Sequence, residues 1–150
     1  MIGQVNDLKA LIFNIGQEEY GVNIHQVVSI ERLLPITPYP NRKAHVLGVV
    51  TVREIVTPVI DLRSALKGQT FETMDSSRII IVQVNGKEIG LLVDATTDVM
   101  DLSSESIQHP QLMQANNISY IKGISKVSER LIILLDIEKL LEDTTNLDEL

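Results

Sequence analysis

The chain has 150 residues, of which 44% are apolar, 22% are charged and 3% are aromatic, with a formal net charge of −7. That acidity argues against nucleic acid or anionic lipid as the main partner, because both are bound through clustered Lys and Arg. The absence of cysteine removes disulfides, thiol catalysis and thiolate metal sites.

The length suits one ordinary domain or two very small ones, with a core built from Val, Ile and Leu. The N-terminus MIGQVNDLKA lacks a signal-peptide layout, and the longest purely apolar run, Leu131–Leu135, is far short of the roughly 20 residues that span a bilayer. A cytoplasmic protein without membrane insertion is expected.

Residues 1–8 read as a flexible arm. Leu11–Ile15 is a buried-type strand, Gly16–Glu18 a turn, and Tyr20–Ile24 alternates as a strand. His25–Ser29 suits a helical turn, and Ile30–Leu34 a short strand stopped by Pro35. Pro35, Pro38 and Pro40 make an irregular crossing. Val46–Val52 and Ile55–Ile60 form a hairpin about Arg53-Glu54, with Pro58 pointing to an edge strand or a bulge. Asp61 then caps a short helix that Gly68 ends.

Lys67–Ser77 is the polar boundary between two halves. Arg78–Val84 and Lys87–Val93 flank Asn85-Gly86, the strongest two-residue hairpin signal. Thr96–Leu102 is a strand, and Ser103–Asn117 a loop with a helical turn. Tyr120–Val127 and Arg130–Leu135 form the last hairpin, a helix follows from Asp136 to Leu141, and residues 143–150 read as a flexible acidic tail.

The halves repeat. His45–Leu66 aligns without a gap on Tyr120–Leu141 at an offset of 75 residues, placing Gly48 on Gly123, Glu54 on Glu129 and Asp61 on Asp136. At an offset of 69, Glu19 falls on Glu88 and Gly21 on Gly90. Each half supplies about five strands and a terminal helix, an arrangement that closes well into a small barrel. The repeated Gly48 and Gly123 mark bends, as does Gly90, and Asp61 and Asp136 are helix caps.

Chemistry is sparse. His25, His45 and His109 show no ligand spacing, no phosphate-cradling glycine motif occurs, and no nucleophile elbow is present. No enzyme activity, metal or cofactor is expected, which leaves a protein-binding module. An apolar groove between two lobes can take the apolar face of an amphipathic helix. Arg53 occurs in one copy only, since the second has Ser128 there. A turn arginine can fork onto carboxylates of a partner or of a neighbouring strand.

Gly48, Val52, Arg53 and the run Pro58-Val59-Ile60-Asp61-Leu62-Arg63, then Gly90-Leu91-Leu92-Val93-Asp94, then Gly123 with Leu131–Leu135, Asp136 and Leu140-Leu141, resemble the pattern of the CheW family of bacterial chemotaxis coupling proteins. The resemblance covers residues 9–142 as one CheW-like domain, with lobes of about 9–67 and 77–142 whose strands are open to exchange. It implies a mainly β fold of two related, intertwined five-stranded β-barrels with short helices. It implies a non-enzymatic adaptor that joins the cytoplasmic tip of methyl-accepting chemotaxis receptors to the regulatory domain of the histidine kinase CheA, in arrays at the membrane. The receptor- and kinase-binding positions carried over are Val27, Ile30, Arg53 and Val99. The family's Asn and Gly around that arginine are Thr51 and Glu54 here, and Ser29 stands where many members have an acid, with Glu31 a candidate substitute. The alternative reading is a scaffold or inhibitory relative that binds arrays without activating the kinase.

Overall fold

The computed structural model describes residues 7–111, 119–146 and 150. Its strands are β1 (Leu8–Ile15), β2 (Glu18–Asn23), β3 (Val27–Arg32), β4 (Val46–Val52), β5 (Ile55–Asp61), β6 (Arg78–Val84), β7 (Lys87–Val93), β8 (Ala95–Leu102), β9 (Ile107–Gln108), β10 (Ile121–Val127) and β11 (Arg130–Leu135). Two helices, α1 (Leu62–Lys67) and α2 (Ile137–Thr145), each follow a hairpin. The expected tails and the Ser103–Asn117 loop fall partly outside the described residues.

The strands form two sheets, one of order β8-β1-β2-β11-β10-β9 and one of order β3-β6-β7-β5-β4. The fold is mainly β, in two related and intertwined units. Neither sheet is built from one contiguous half of the chain. The first hairpin, β1-β2, joins the strands of the second half, and β6-β7 joins those of the first. Each hairpin is joined on one side by antiparallel pairing, β1 to β8 and β6 to β3, and on the other by parallel pairing, Leu134 opposite Gly21 and Val59 opposite Gly90. These are the same joint twice, related by the repeat.

Burial follows from this exchange. On β1, Leu11, Phe13 and Ile15 point to one core, and Ala10 and Ile12 to another. On β6, Ile80, Val82 and Val84 join Phe13 in that first core, while Ile79 and Ile81 face a third. A strand apolar on both faces is the signature of burial on both sides, which is why these segments read as unbroken aliphatic runs. The shared core lies between the sheets, and each sheet keeps a smaller core of its own.

The repeated signals act as pairs. A Cβ on Gly48 (φ 152°) would lie 2.3 Å from the Thr37 carbonyl oxygen, and one on Gly123 (φ 159°) 2.7 Å from that of Gln108. Register shifts sit at both glycines, so each marks a bulge where another backbone crosses. Asp61 accepts from Ser64 N at 3.1 Å and Asp136 from Lys139 N at 3.2 Å, capping α1 and α2. Their own N–H groups donate to His45 O and Tyr120 O, each at 2.8 Å. Asp61 also accepts from Phe71 N, and its burial pushes its carboxyl up, against the lowering effect of these backbone bonds.

Three expectations change: the helical turn expected at His25–Ser29 is a single turn over Ile24–Gln26, and β3 already begins at Val27. Pro58 does not place β5 at an edge, since β5 lies between β4 and β7. The ladder to β7 begins at Val59, so the missing N–H of Pro58 falls just before it. The last helix runs past Leu141 to Thr145, whose buried hydroxyl bonds to Ala44 O.

Candidate partner-docking surface

β3 is an edge strand of one sheet and β8 of the other. Each carries one extra residue. Along β3, Val27 opposes Val82, the register shifts at Val28, and Ser29 opposes Ile81. Along β8, Thr96 opposes Phe13, the register shifts at Thr97, and Asp98 opposes Ile12. The bulges sit at equivalent positions in the repeat and act alike. They turn Val27 and Ile30, opposite Val82 and Ile80, toward the shared core. Likewise Val99, opposite Leu11, faces that core. Yet Ile30 and Val99 remain 43% and 47% exposed. The face that carries the shared core therefore continues, at both edge strands, into half-exposed apolar side chains. Sequence reasoning nominated Val27, Ile30 and Val99, and the structure puts all three on the core-facing side.

Arg53 lies on the other face. The bulge sends Ser29 and Glu31 away from the shared core, and Arg53 meets them there from the β4-β5 turn. Its Nη1 donates to Ser29 Oγ at 3.0 Å and lies 3.7 Å from Glu31 Oε2. Its Nη2 donates to Glu88 Oε1 at 2.9 Å. The turn itself has φ of 49° at Arg53 and 68° at Glu54, close to the 52° and 77° of Asn85-Gly86. It is a left-handed hairpin turn despite having no glycine.

The second lobe holds the same network with the arginine moved. Arg130, two residues beyond the aligned Ser128, forks onto Glu19, with Nη2 to Oε1 at 2.7 Å and Nε to Oε2 at 3.1 Å. It also donates to both oxygens of Asp98 at 3.1 Å. Glu19 and Asp98 are the repeat equivalents of Glu88 and Ser29. The bonds to Glu19, then to Asp98, hold the Arg130 guanidinium well above its ordinary value. The bond from Arg130, and then that from Thr97, hold the Asp98 carboxyl below the usual range. Sequence reasoning missed Glu88, Arg130 and Asp98 as partners, although the offset of 69 had already put Glu19 on Glu88.

Other features surround these. Asp94 is buried, accepts from Gly16 N at 2.7 Å and pairs with Arg63 of α1. It thus ties the β7–β8 crossing to the first hairpin. Val56 and Leu131, again repeat equivalents, are 65% and 60% exposed on β5 and β11. Among the described residues, no group of three or more His, Asp or Glu side chains could hold a metal ion. Among them also, no helix is long and apolar enough to cross a membrane.

The sequence profile of the CheW-like domain matches residues 9–145. The chain belongs to the CheW family. It is 34% identical over 139 residues to the probable chemotaxis protein CheW of Rhizobium etli, covering 92% of this chain and 90% of that one. To the chemotaxis protein CheW of Bacillus subtilis it is 33% identical over 135 residues, covering 89% and 86%. The crystal structure of the scaffolding protein TtCheW from Thermoanaerobacter tengcongensis superposes with a TM-score of 0.82 at 29% identity, covering 91% of this chain and 93% of that one. The arginine network and edge-strand bulges are thus laid out on the fold of the CheW family.

Proposed function

We propose that this chain is a non-enzymatic adaptor that couples the cytoplasmic tip of methyl-accepting chemotaxis receptors to the histidine kinase CheA, in the cytoplasm at membrane-associated arrays. One observation carries the reading: Ile30 and Val99, at equivalent edge positions, continue the shared core into solvent. An amphipathic helix of a receptor tip laid against such a face would bury both. Arg53 is held from behind by Ser29 and Glu88, so that the strand carrying Ile30 is braced at its other face. Val56 and Leu131 give each lobe an outer apolar contact suited to docking another barrel, such as the CheA regulatory domain.

The test is capture of a soluble receptor tip and of the CheA regulatory domain by the purified protein. Val99→Asp should weaken receptor capture while leaving the fold and kinase-domain capture intact. Folded protein that captures neither partner would sink the proposal. Kinase phosphorylation measured with receptor and adaptor together separates coupling from the scaffold-only alternative, which would bind without raising it.

A further inference from the structure

Arg32 and Arg78 stand directly opposite each other across β3 and β6. Side chains in such a pair share a face at close range, and like charges there are destabilising. The repeat supplies an internal comparison. The equivalent pair in the other sheet is Lys9 opposite Asp101, with complementary charges. One lobe thus balances this position and the other leaves it doubly positive, in a chain whose net charge is −7.

Among the described residues, neither arginine is in an ion pair. Arg78 is nonetheless fixed in place, with Nη1 donating to the carbonyls of Asp75 and Ser77 at 3.0 and 2.8 Å. Beside them lie Leu33, 37% exposed, and Met74, 45% exposed, around an open cavity of about 410 Å³ that Asp75 and Ser77 also line, leaving two guanidiniums against one carboxylate. An arginine pair alone would suit a small anion. The two apolar side chains on the same cavity favour a polypeptide that carries carboxylates next to an aliphatic residue.

We propose that Arg32, Arg78, Leu33 and Met74 form a docking site for an acidic segment of a protein partner, in which carboxylates bridge the two guanidiniums and an adjacent aliphatic side chain covers Met74. Guanidinium–carboxylate forks supply the orientation. The partner supplies the negative charge that Asp101 places at this position in the sister lobe. The site adds to the adaptor reading without depending on it, since it is tested on this chain alone.

The probe is a fluorescein-labelled peptide of alternating glutamate and leucine, read by anisotropy, with a glutamine-for-glutamate version as control. The glutamate peptide should bind, more weakly as salt rises, and the glutamine peptide should not. Arg32→Asp rebuilds the sister arrangement, so it should weaken binding about tenfold or more while holding or raising the urea midpoint. Arg32→Gln provides the same loss of binding should the aspartate variant fail to fold. Equal binding of both peptides, unchanged binding by these variants, no binding by the parent, or full displacement of the peptide by inorganic phosphate would each overturn the proposal. Loss of receptor capture by Val99→Asp with peptide binding retained keeps the two readings separate.

Discussion

Ser29 and Asp98 occupy the same position after the same bulge in the two halves of the chain, and each accepts a hydrogen bond from an arginine of the hairpin across the sheet. The difference between hydroxyl and carboxylate makes Arg53 the less firmly held of the two. Arg53 has one close carboxylate and a second at 3.7 Å, where Arg130 has two at 3.1 Å or less.

Ser29→Asp should therefore give Arg53 the grip that Arg130 already has. Exposed arginine–carboxylate pairs are worth up to about 1 kcal/mol, so the gain in unfolding free energy should be a few tenths to about 1 kcal/mol. Urea titrations at low and high salt check this, because a gain from charge pairing shrinks as salt rises. A loss of stability would mean that repulsion from Glu31 and Glu88 outweighs the new pair.

Glu54→Gly should stabilise the turn. A residue with a Cβ at φ 68° is costly in the left-handed region, and glycine relieves that cost while adding unfolded-state entropy. The balance should be a gain of up to about 1 kcal/mol. The Arg53 contacts should persist, as read by an unchanged receptor-capture affinity. A lower urea midpoint would show that Glu54 contributes a contact of its own.

Gly48→Ala should be among the most damaging substitutions in the chain, and more so than Gly123→Ala. Both clash with a crossing backbone, at 2.3 and 2.7 Å, and a backbone cannot swing aside as a side chain can. Losses of several kcal/mol, on the order of 3 or more, are expected for Gly48→Ala. Thermal melts of the two variants settle the order.

Acid should release the Arg130 network, which is intact at neutral pH. Asp98 is held below its ordinary 3.8 by Arg130, so the folded state binds its proton less readily than the unfolded chain. The stability it contributes is fully present above that value and is lost as pH falls through the lower folded value. Asp98→Asn should flatten the acid limb of the stability–pH curve below about pH 4 and leave its shape near pH 7 unchanged. An acid limb as steep as that of the parent would remove Asp98 from the account.

Much of the fold was legible because its signals are local. Strand limits at Val46–Val52, Arg78–Val84 and Lys87–Val93 came from β-branched runs and the Asn85-Gly86 turn, and both aspartate caps from their place before an aliphatic helix. Strand partners were not legible in the same way. Hydrophobic periodicity shows that β1 is buried on both faces but not which strand covers each face. The bulges at Val28 and Thr97 leave no compositional mark, yet they decide that Ile30 faces the shared core while Ser29 faces Arg53. Arg130 escaped notice because a gapless alignment compares positions, whereas a long side chain can reach the same carboxylate from two residues away.

The exchange of hairpins gives the molecule a property that neither sheet has alone. The six-stranded sheet needs strands from both ends of the chain, and the five-stranded sheet needs strands of both halves, so neither half completes a sheet alone and the β1-β8 and β2-β11 pairings close long loops. Such topology slows folding and makes it cooperative across the whole chain. It also means that strand pairing, and not only the covalent link between α1 and β6, holds the two halves together. A nick there would leave two fragments clasped through four strand pairs, β1-β8, β2-β11, β3-β6 and β5-β7, with no covalent bond between them.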